Sequence, residues 1–483
     1  MMAGTSTERP RPLYLQGRWF SEGESIDVIN PATEEPFARV VTVGRGVVRK
    51  ALEDAQAAWP GWRKWSGRDR GARLRRIAEL LASRADELAR TITLENGKPL
   101  AQSRGEVAVA VDHLHWFAEE ARRGYGRVVG PQAEGKRHLI FKQPVGVVGA
   151  IPAWNFPLVL ALRKVAPALA AGCPVVLKPA SATPLSAVLL AEAVHEVDLP
   201  PGVFQLVAGN SSEIGAEMFE NAVCRKVTFT GSTEVGRKLM RLAADSVMKL
   251  SLELGGHAPL IVFEDADFDR AVEGAISAKF RNTGQSCIAA SRIYVQRPIF
   301  DRFVAAFVER TRSLKVGDGL DDGVEIGPLI DAAARDHTMA HIDQARDAGA
   351  EVLCGGGRAG RDKGFFLEPT VLVDVPGDAL CMREETFGPV APVAPFDDEA
   401  DVISRANDTR YGLAAYVFTR DLARTWRVAE ALEAGTVGVN DSVPATSQCP
   451  FGGMKQSGLG RELGSEGMEA YLETKHVVFG GID

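Results

Sequence analysis

The stretch VGVVGAI at residues 145–151 begins the part of the chain that decides the fold. It is followed by the turn WNFP at 154–157, a helix-like apolar segment that ends before Gly172, and a second apolar run, PVVL, at 174–177. Short apolar runs bounded by turn residues are typical of strands that are buried on both faces. Two such strands joined by a helix form a βαβ unit, so the sequence predicts an α/β fold built on a parallel sheet.

Regular elements are predicted along most of the remaining chain. Short strands and turns are expected at 13–45 and helices at 46–123, and the second half repeats the alternation of strands and helices. Further strands are predicted at 203–207, 226–230, 259–263, 293–296, 352–354, 371–375, 414–418 and 436–439, and further helices at 212–219, 266–280, 300–314 and 422–434. One more helix is expected to open with Thr183 as its N-cap and Pro184 at its first helical position.

Three residues suited to ligand binding follow the carboxyl ends of predicted strands. Asn155, Lys178 and Gly231 each lie just past such an end. Parallel sheets bind ligands in the crevice at the carboxyl ends of their strands. The sequence therefore predicts that these three residues share one rim of the sheet.

The composition excludes several classes of protein. The chain has 483 residues, 45% hydrophobic and 25% charged, with a net charge of −7, which is ordinary for a globular protein of several domains. The negative charge predicts no nucleic-acid partner and no basic membrane-binding face. The polar N-terminus lacks the apolar region of a signal peptide, and no apolar run is long enough to span a membrane.

The cysteines lack the spacings of metal ligands, and the neighbouring histidine pairs lack a carboxylate or cysteine companion pattern. The six cysteines are scattered without a Cys-x-x-Cys pair, so neither a disulfide framework nor a metal site is predicted. A reducing, cytoplasmic location is expected. The eight histidines, among them His113 and His115, are interpreted as surface or helix residues.

One cysteine has the surroundings of a nucleophile. Cys287 ends the turn GQSC at 284–287, between a helix-like run and a strand. A thiol at such a turn is held still and remains accessible, which nucleophilic catalysis requires. Backbone N–H groups of the turn can also face a developing oxyanion. Considered alone, however, a free cysteine is more often an inert buried residue.

Two carboxylates and one glycine pair are further candidates. Glu253 lies among apolar neighbours in LELGG at 252–256, where burial would raise its pKa and suit it as a general base; a salt-bridged or capping role is the alternative. Glu385 precedes a Gly-Pro turn and is suited to bind ribose hydroxyls, or else is a solvated loop residue. The glycines of TGSTEVG at 230–236 allow a phosphate to approach a helix N-terminus, or mark a tight packing turn.

Seven motifs in order resemble those of the aldehyde dehydrogenase superfamily. They are WNFP at 154–157, KPA at 178–180, FTGS at 229–232, ELGG at 253–256, GQSC at 284–287, ETFGP at 385–389 and PFGG at 450–453. The resemblance covers nearly the whole chain, from about residue 13 to the end.

The resemblance implies an aldehyde dehydrogenase-like α/β fold with three parts. A Rossmann-type dinucleotide-binding domain would comprise 1–125 and 146–256, and an α/β catalytic domain would comprise 257–446. A small β oligomerisation element would combine 126–145 with the tail of the C-terminal segment, 447–483. Members of this superfamily commonly form dimers or tetramers, so a homodimer or homotetramer is expected.

The resemblance also implies a mechanism. Cys287 would attack an aldehyde carbon, while the Asn155 side chain and the Cys287 backbone N–H hold the oxyanion. Hydride would pass to a nicotinamide and leave a thioester, and Glu253 would activate the water that hydrolyses it to a carboxylic acid.

The implied cofactor is NAD or NADP. The residues expected to bind it are Trp154, Lys178, Ser181, Gly231, Ser232, Leu254, Glu385 and Phe387. Many NAD-preferring relatives carry a glutamate where this chain has Ser181. A carboxylate would repel the 2′-phosphate of NADP, whereas a serine can donate a hydrogen bond to it. The sequence therefore predicts that NADP is accepted.

Within the superfamily the chain most resembles succinate-semialdehyde dehydrogenases. Arg163 and Arg281 match arginines that bind the distal carboxylate of the substrate in that subfamily. A serine that assists them is replaced by Ala445, with Thr446 next to it as the substitute candidate. Glutarate semialdehyde, a sulfonated or phosphonated aldehyde, and a neutral aldehyde are therefore alternative substrates.

Two other functions are weighed against this one. CoA-acylating aldehyde dehydrogenases usually lack the general-base glutamate, and Glu253 argues against that activity. A non-enzymatic structural protein on this fold would be expected to lose catalytic groups, whereas Cys287, Glu253 and Asn155 are all present.

Overall fold

Two large sheets form the centre of the protein. The computed structural model describes residues 9–481. The strands are β1 Leu13–Leu15, β2 Arg18–Phe20, β3 Glu24–Asn30, β4 Glu35–Thr42, β5 Arg127–Val129, β6 Arg137–Pro144, β7 Val147–Ile151, β8 Val175–Leu177, β9 Phe204–Leu206, β10 Cys224–Thr230, β11 Lys249–Glu253, β12 Ala258–Val262, β13 Ala290–Gln296, β14 Glu351–Cys354, β15 Thr370–Val373, β16 Val390–Phe396, β17 Ala414–Phe418, β18 Thr436–Val439, β19 Gly458–Leu459 and β20 Leu472–Phe479.

Helices cover these sheets. They are α1 Arg45–Trp62, α2 Gly67–Ser83, α3 Ala85–Asn96, α4 Leu100–Glu120, α5 Pro157–Ala171, α6 Leu185–His195, α7 Ser211–Glu220, α8 Thr233–Ala244, α9 Phe268–Phe280, α10 Phe300–Arg312, α11 Ala332–Asp347, α12 Leu380–Arg383, α13 Glu399–Asn407, α14 Leu422–Ala431 and α15 Gly464–Glu469. No helix within residues 9–481 is long and apolar enough to cross a membrane.

The first sheet has eight strands in the order β19-β11-β10-β7-β8-β9-β1-β2. Five neighbouring strands of this sheet run parallel to one another: β11, β10, β7, β8 and β9. Helix α1 packs on β7, β8 and β9, while α5 packs on β7 and β8. The predicted α/β fold with a parallel sheet is confirmed.

The second sheet has seven strands in the order β14-β15-β16-β13-β12-β17-β18, and only β14 is antiparallel to its neighbour. A small three-stranded sheet, β20-β6-β5, and the hairpin β3-β4 complete the strands. The predicted range 257–446 contains β12 to β18, and 126–145 contributes β5 and β6 to the small sheet. The range 447–483 divides, because β19 joins the first sheet and β20 joins the small one.

The predicted cap of α6 is wrong. Thr183 donates its hydroxyl to the Trp154 carbonyl (3.4 Å) and does not cap the helix, and Pro184 precedes the first helical residue. The cap comes instead from buried Glu95, which accepts hydrogen bonds from the backbone N–H groups of Leu185 (2.7 Å) and Ser186 (3.0 Å). A carboxylate at this position also matches the positive end of the helix dipole.

Helix α5 is capped in the same way by a second buried glutamate. Glu106 of α4 accepts hydrogen bonds from the N–H groups of Leu158 (3.0 Å) and Val159 (3.2 Å). Its other oxygen lies 2.5 Å from the Lys98 ammonium, which also donates to the carbonyl of Asn155 (2.7 Å). The lysine and glutamate side chains are almost fully buried. This ion pair therefore fixes the start of α5 and the residue just before it.

Replacing Glu106 with glutamine is expected to destabilise the fold strongly. The Lys98 ammonium would then be buried without a counterion, and removing one member of a buried ion pair costs about 3–5 kcal/mol. Scanning calorimetry should show unfolding at a clearly lower temperature. The matched control is Glu119→Gln on the same helix, because the Glu119–Arg75 pair is exposed and such pairs contribute about 1 kcal/mol or less. Equal shifts in the two variants would contradict this role of Glu106.

Candidate active site

The two large sheets meet at Gly255 and Gly256, which connect β11 to β12. A Cβ atom on Gly256 would lie 2.1 Å from the carbonyl oxygen of Cys287, so no other residue fits there without displacing backbone. The Gly256 N–H donates to the Glu385 carboxylate at 2.9 Å. This crossing brings together three predicted site residues, Glu253, Cys287 and Glu385, from distant parts of the chain.

Cys287 lies between a short 3₁₀ turn at Arg281–Gly284 and strand β13. Its side chain is partly exposed. Burial of the sulfur raises the pKa of the Cys287 thiol well above its usual value, and the charges of Glu253 and Glu385 raise it further. The thiol is therefore protonated at neutral pH in the absence of ligands, and forming the thiolate requires a base.

Glu253 ends β11 and is buried. Neither of its carboxylate oxygens has a hydrogen-bond partner within residues 9–481. Burial raises the pKa of Glu253 to about 7, with a further contribution from Glu462, while Arg163 and Lys164 lower it. The Cys287 thiol is close enough for the negative charge of Glu253 to raise its pKa, although no hydrogen bond of good geometry joins the two groups. Burial thus raises the pKa of Glu253 in the predicted direction, and within residues 9–481 its carboxylate forms neither an ion pair nor a capping hydrogen bond.

A buried ion pair lies beside Glu253. The Lys164 ammonium is 2.5 Å from Glu462 and donates to the Thr230 hydroxyl at 2.6 Å. Lys164 comes from α5, whereas Glu462 comes from the C-terminal segment. Both groups act on the charge of Glu253. Neither was predicted as a site residue.

Asn155 is positioned through its backbone. Its carbonyl accepts hydrogen bonds from Lys98 (2.7 Å) and from the Asn282 amide (2.9 Å). Its side-chain Nδ2 donates to the carbonyl of Gln285 at 3.1 Å, two residues before the predicted nucleophile. The Asn155 amide therefore lies against the turn that carries Cys287, and its other N–H is free to face a ligand.

The predicted rim of the first sheet is formed as expected. Strands β10, β7 and β8 are neighbours, and Gly231, Asn155 and Lys178 follow their carboxyl ends. Buried Lys178 donates to the Ser211 hydroxyl (2.6 Å), and burial lowers the pKa of Lys178 to about 8. Ser181 is exposed nearby in the chain.

Helix α8 begins at this rim. The hydroxyl of Ser232 accepts a hydrogen bond from the Val235 N–H (3.3 Å) and caps the helix, and the Gly231 N–H donates to the Glu253 carbonyl at 3.1 Å. Gly231 is half-buried, and a Cβ atom there would lie 2.3 Å from the Phe229 ring. The turn is thus tightly packed, as one of the two alternatives requires, and the phosphate site stays a prediction.

Four more predicted cofactor residues line the junction between the sheets. Trp154 and Phe387 pack edge to face, with ring centroids 5.5 Å apart. Burial raises the pKa of Glu385 to about 8 despite its hydrogen bond from Gly256. The Leu254 backbone is held by a hydrogen bond to the Ser457 carbonyl (2.9 Å). Donors, an acceptor and apolar surface of this kind fit a dinucleotide placed along the rim and into the junction.

The two predicted substrate arginines both lie close to Cys287 and influence each other. Arg163, on α5, is buried, with its guanidinium 4.5 Å from the centroid of the Phe451 ring. Arg281 begins the turn before Cys287 and lies 5.7 Å from the Phe156 ring centroid. Burial lowers the pKa of Arg281, and Arg163 lowers it further. Neither arginine forms an ion pair with a carboxylate in the described part of the chain.

Thr446 does not reach these arginines through a hydrogen bond. Its hydroxyl donates to the side chain of Gln448 at 2.6 Å, and the residue is half-buried. The neighbouring Ser447 is buried and binds instead to His113 and Asp112 of α4. Within residues 9–481, Thr446 therefore forms no hydrogen bond with Arg163 or Arg281.

The positioning residues on α4 carry a sequence signal that was missed. The buried positions of this helix recur at helical spacing and include Ser103, Glu106, Ala110, His113 and Phe117. Glu106 and His113 thus occupy inward positions among apolar residues. Polar side chains on the apolar face of an amphipathic helix indicate buried hydrogen bonds. The spacing thus indicates that His113 is a buried residue of the helix and not a surface residue.

Comparison with known proteins identifies the arrangement. The model of the Aldehyde dehydrogenase family matches residues 19–477. Succinate-semialdehyde dehydrogenase [NADP(+)] GabD of Escherichia coli is 49% identical over 468 residues, which are 96% of this chain and 97% of that protein. Glutarate-semialdehyde dehydrogenase of Pseudomonas aeruginosa is 50% identical over 97% of both chains. A crystal structure of an E. coli NADP-dependent enzyme superimposes with a TM-score of 0.96 at 48% identity, covering 98% of each chain.

Replacing Glu253 with glutamine is expected to lower the pKa of the Cys287 thiol. The negative charge of Glu253 disfavours the thiolate, so its removal should increase thiolate formation above about pH 7, where Glu253 is ionised. The rate of Cys287 alkylation by iodoacetamide, followed by peptide mass spectrometry from pH 6 to 9, should rise at lower pH than in the parent protein.

Two features keep this measurement specific. A Cys449→Ser background removes the exposed thiol, and Glu384→Gln provides a matched loss of an exposed carboxylate near the site. An unchanged profile would show that the carboxylate does not oppose thiolate formation, whereas slower alkylation in Glu253→Gln would show that its action as a base on the thiol outweighs that opposition.

Proposed function

The chain belongs to the aldehyde dehydrogenase family, and we propose that its reaction is the NADP-linked oxidation of succinate semialdehyde to succinate. The family match agrees with the seven motifs found in the sequence. The observation that supports this substrate is the pair of arginines beside Cys287, buried Arg163 and half-buried Arg281, which form no ion pair with a carboxylate within residues 9–481.

Cys287 is the proposed nucleophile. Its raised pKa requires a base, and Glu253 is the carboxylate whose charge acts most directly on the thiol. Glu253 would accept the thiol proton as the sulfur attacks the aldehyde carbon to form a thiohemiacetal. The Asn155 amide and the Cys287 N–H would donate hydrogen bonds to the oxyanion, which is effective because the donors are already in place.

Glu253 has a second proposed role, in hydrolysis. After oxidation the substrate is bound to Cys287 as a thioester, and a water molecule must be deprotonated to release the acid. A carboxylate with a pKa of about 7 can accept that proton at neutral pH and give it up again before the next cycle. Neither oxygen is engaged in a hydrogen bond with another described residue, so both are available for this purpose.

The cofactor would lie along the rim of the first sheet. Lys178 and Ser181 would bind the adenosine ribose and its 2′-phosphate, and Gly231 with Ser232 would lie near the pyrophosphate at the start of α8. Glu385 would accept hydrogen bonds from the nicotinamide ribose. Trp154, Leu254 and Phe387 would supply apolar contacts in the junction. When bound, the nicotinamide supplies the hydride acceptor.

Arg163 and Arg281 are proposed to bind the distal carboxylate of the substrate. Two partly desolvated guanidinium groups form strong charge-assisted hydrogen bonds with a carboxylate. Thr446 would contribute at most through bound water, since its hydroxyl is engaged with Gln448. Glutarate semialdehyde is the second candidate, because a comparably similar relative is a glutarate-semialdehyde dehydrogenase.

Self-association and location are further parts of the proposal. The small sheet exposes five apolar side chains, Val128, Val129, Phe141, Val478 and Phe479, each at least 42% exposed. Apolar surface concentrated on one thin element favours a homodimer or homotetramer in which this sheet is covered. The six cysteines are free thiols, which suits a reducing, cytoplasmic location.

An aldehyde panel tests the proposed substrate. Succinate semialdehyde should be oxidised far more efficiently than propanal. Arg281→Ala should raise KM for succinate semialdehyde about 10- to 100-fold, because each hydrogen bond to a charged group contributes about 1.5–3 kcal/mol, and should change the propanal KM little. Arg297→Ala, which removes an exposed arginine paired with Asp397, is the matched control.

Two outcomes would contradict the proposal. Equal effects of Arg281→Ala on both aldehydes would exclude the arginine pair as the carboxylate site. A requirement for CoA in turnover would show that the thioester is transferred to CoA and is not hydrolysed.

Cofactor preference can be tested at Ser181. The parent enzyme should use NADP with at least about a hundredth of the efficiency seen with NAD. Ser181→Glu should lower the efficiency with NADP by more than about tenfold, through like-charge repulsion of the 2′-phosphate, and leave that with NAD nearly unchanged. Ala182→Glu adds the same charge at the adjacent exposed position and serves as the control. Loss of efficiency with both cofactors alike would show that Ser181 does not distinguish them.

A further inference from the structure

A line of polar side chains connects the protein surface to Arg163. His113 is buried on α4, and its Nε2 lies 3.4 Å from Arg163 Nε. Its other ring nitrogen, Nδ1, is 2.8 Å from the hydroxyl oxygen of Ser447. That hydroxyl in turn donates to the carboxylate of Asp112, which is exposed at the surface. Sequence patterns drew no attention to His113, Ser447 or Asp112 in this role.

The donors and acceptors of this line can be assigned from chemistry alone. An ionised Asp112 only accepts, so the single hydroxyl proton of Ser447 is directed at it. The Ser447 oxygen must then accept from His113, which places the imidazole proton on Nδ1. The unprotonated Nε2 is left to accept from the Arg163 Nε–H. Every hydrogen bond therefore points from the arginine toward the surface.

The charge state of His113 agrees with this assignment. Burial, and then the neighbouring Arg163 charge, keep the pKa of His113 well below its usual value. The ring is therefore neutral at physiological pH, and it has the one lone pair that Arg163 needs. A protonated ring would direct an N–H at the guanidinium and lose this bond.

Arg163 is restrained on two sides and free on the third. His113 binds its Nε, and the Phe451 ring covers one face of the guanidinium at 4.5 Å. Its two terminal nitrogens form no hydrogen bond with protein atoms in the described residues and are not among the buried unpartnered atoms. Those terminal N–H groups are thus the ones available to an anionic ligand near Cys287.

We propose that His113, held by Ser447 and Asp112, is a positioning residue that orients Arg163 and thereby sets selectivity for anionic over neutral aldehydes. The inference rests on the proposed function, because it concerns how one of the two substrate arginines is held. His113 itself does not touch the reacting atoms.

Four variants test this role. His113→Phe fills the site but removes the acceptor, whereas His113→Gln can still accept from Arg163 and donate to Ser447. Ser447→Ala removes only the partner that fixes the imidazole tautomer. His115→Phe is the matched control, because His115 lies two residues away on the exposed side of the same helix. Melting temperature and dinucleotide binding establish that each variant is folded.

The readout is the ratio of kcat/KM for succinate semialdehyde to that for propanal. His113→Phe should lower this ratio about tenfold or more, mainly through KM, since a hydrogen bond to a charged group is lost. Ser447→Ala should lower the ratio less. The double variant His113→Phe/Ser447→Ala should have a ratio no lower than that of His113→Phe alone. His113→Gln and His115→Phe should retain the parent ratio to within about twofold.

The outcomes separate this inference from the proposed function. A parent enzyme with no preference for the anionic aldehyde would overturn both. A clear preference that His113→Phe leaves unchanged, or equal losses with both aldehydes, would overturn the positioning role alone. If His113→Phe does not fold, an unchanged ratio in Ser447→Ala would overturn it equally.

Discussion

The close approach of Gly256 to the Cys287 carbonyl is the constraint on which the whole site depends. The proposed base, Glu253, is the last residue of β11 in the first sheet, and the Cys287 thiol comes from the turn before β13, the central strand of the second sheet. The two sheets have separate strand orders and do not share hydrogen bonds. Only a backbone without side chains at this crossing lets them approach closely enough for Glu253 and Cys287 to influence each other.

Removal of water from this junction explains its electrostatics. Three acids, Glu253, Glu385 and Cys287, share a poorly solvated space, so the ionisation of one disfavours that of the others. Arg163 and Lys164 oppose the effect on Glu253 and bring its pKa to near neutrality rather than far above it. The pKa of Glu253 near neutrality therefore results from two opposing effects, burial, which raises it, and nearby cations, which lower it. Arg163, which is proposed to bind the substrate, is one of those cations.

The sequence predicted the parallel sheets and the residues at their rim well, because strand ends and glycine turns are local patterns. It failed where a partner lies far along the chain. Thr183 has the local pattern of an N-cap, yet the cap of α6 is Glu95, 90 residues before Leu185. The helical spacing around Glu106 indicates a buried polar side chain, but it does not indicate that this side chain caps α5 and neutralises Lys98. Such pairs depend on how helices pack, which periodicity alone does not specify.

The turn before Cys287 has a consequence for how this protein can change over time. Asn282 and Thr283 adopt left-handed backbone angles, with φ of 51° and 58°, which few residues other than glycine adopt; asparagine tolerates them better than the β-branched threonine. Glycine at 282 would relieve the strain but remove the amide that holds the carbonyls of Asn155 and Gln285. Relief of backbone strain is therefore opposed at this position by the loss of two buried hydrogen bonds. Variants that drift toward a more relaxed turn would lose the geometry around the thiol.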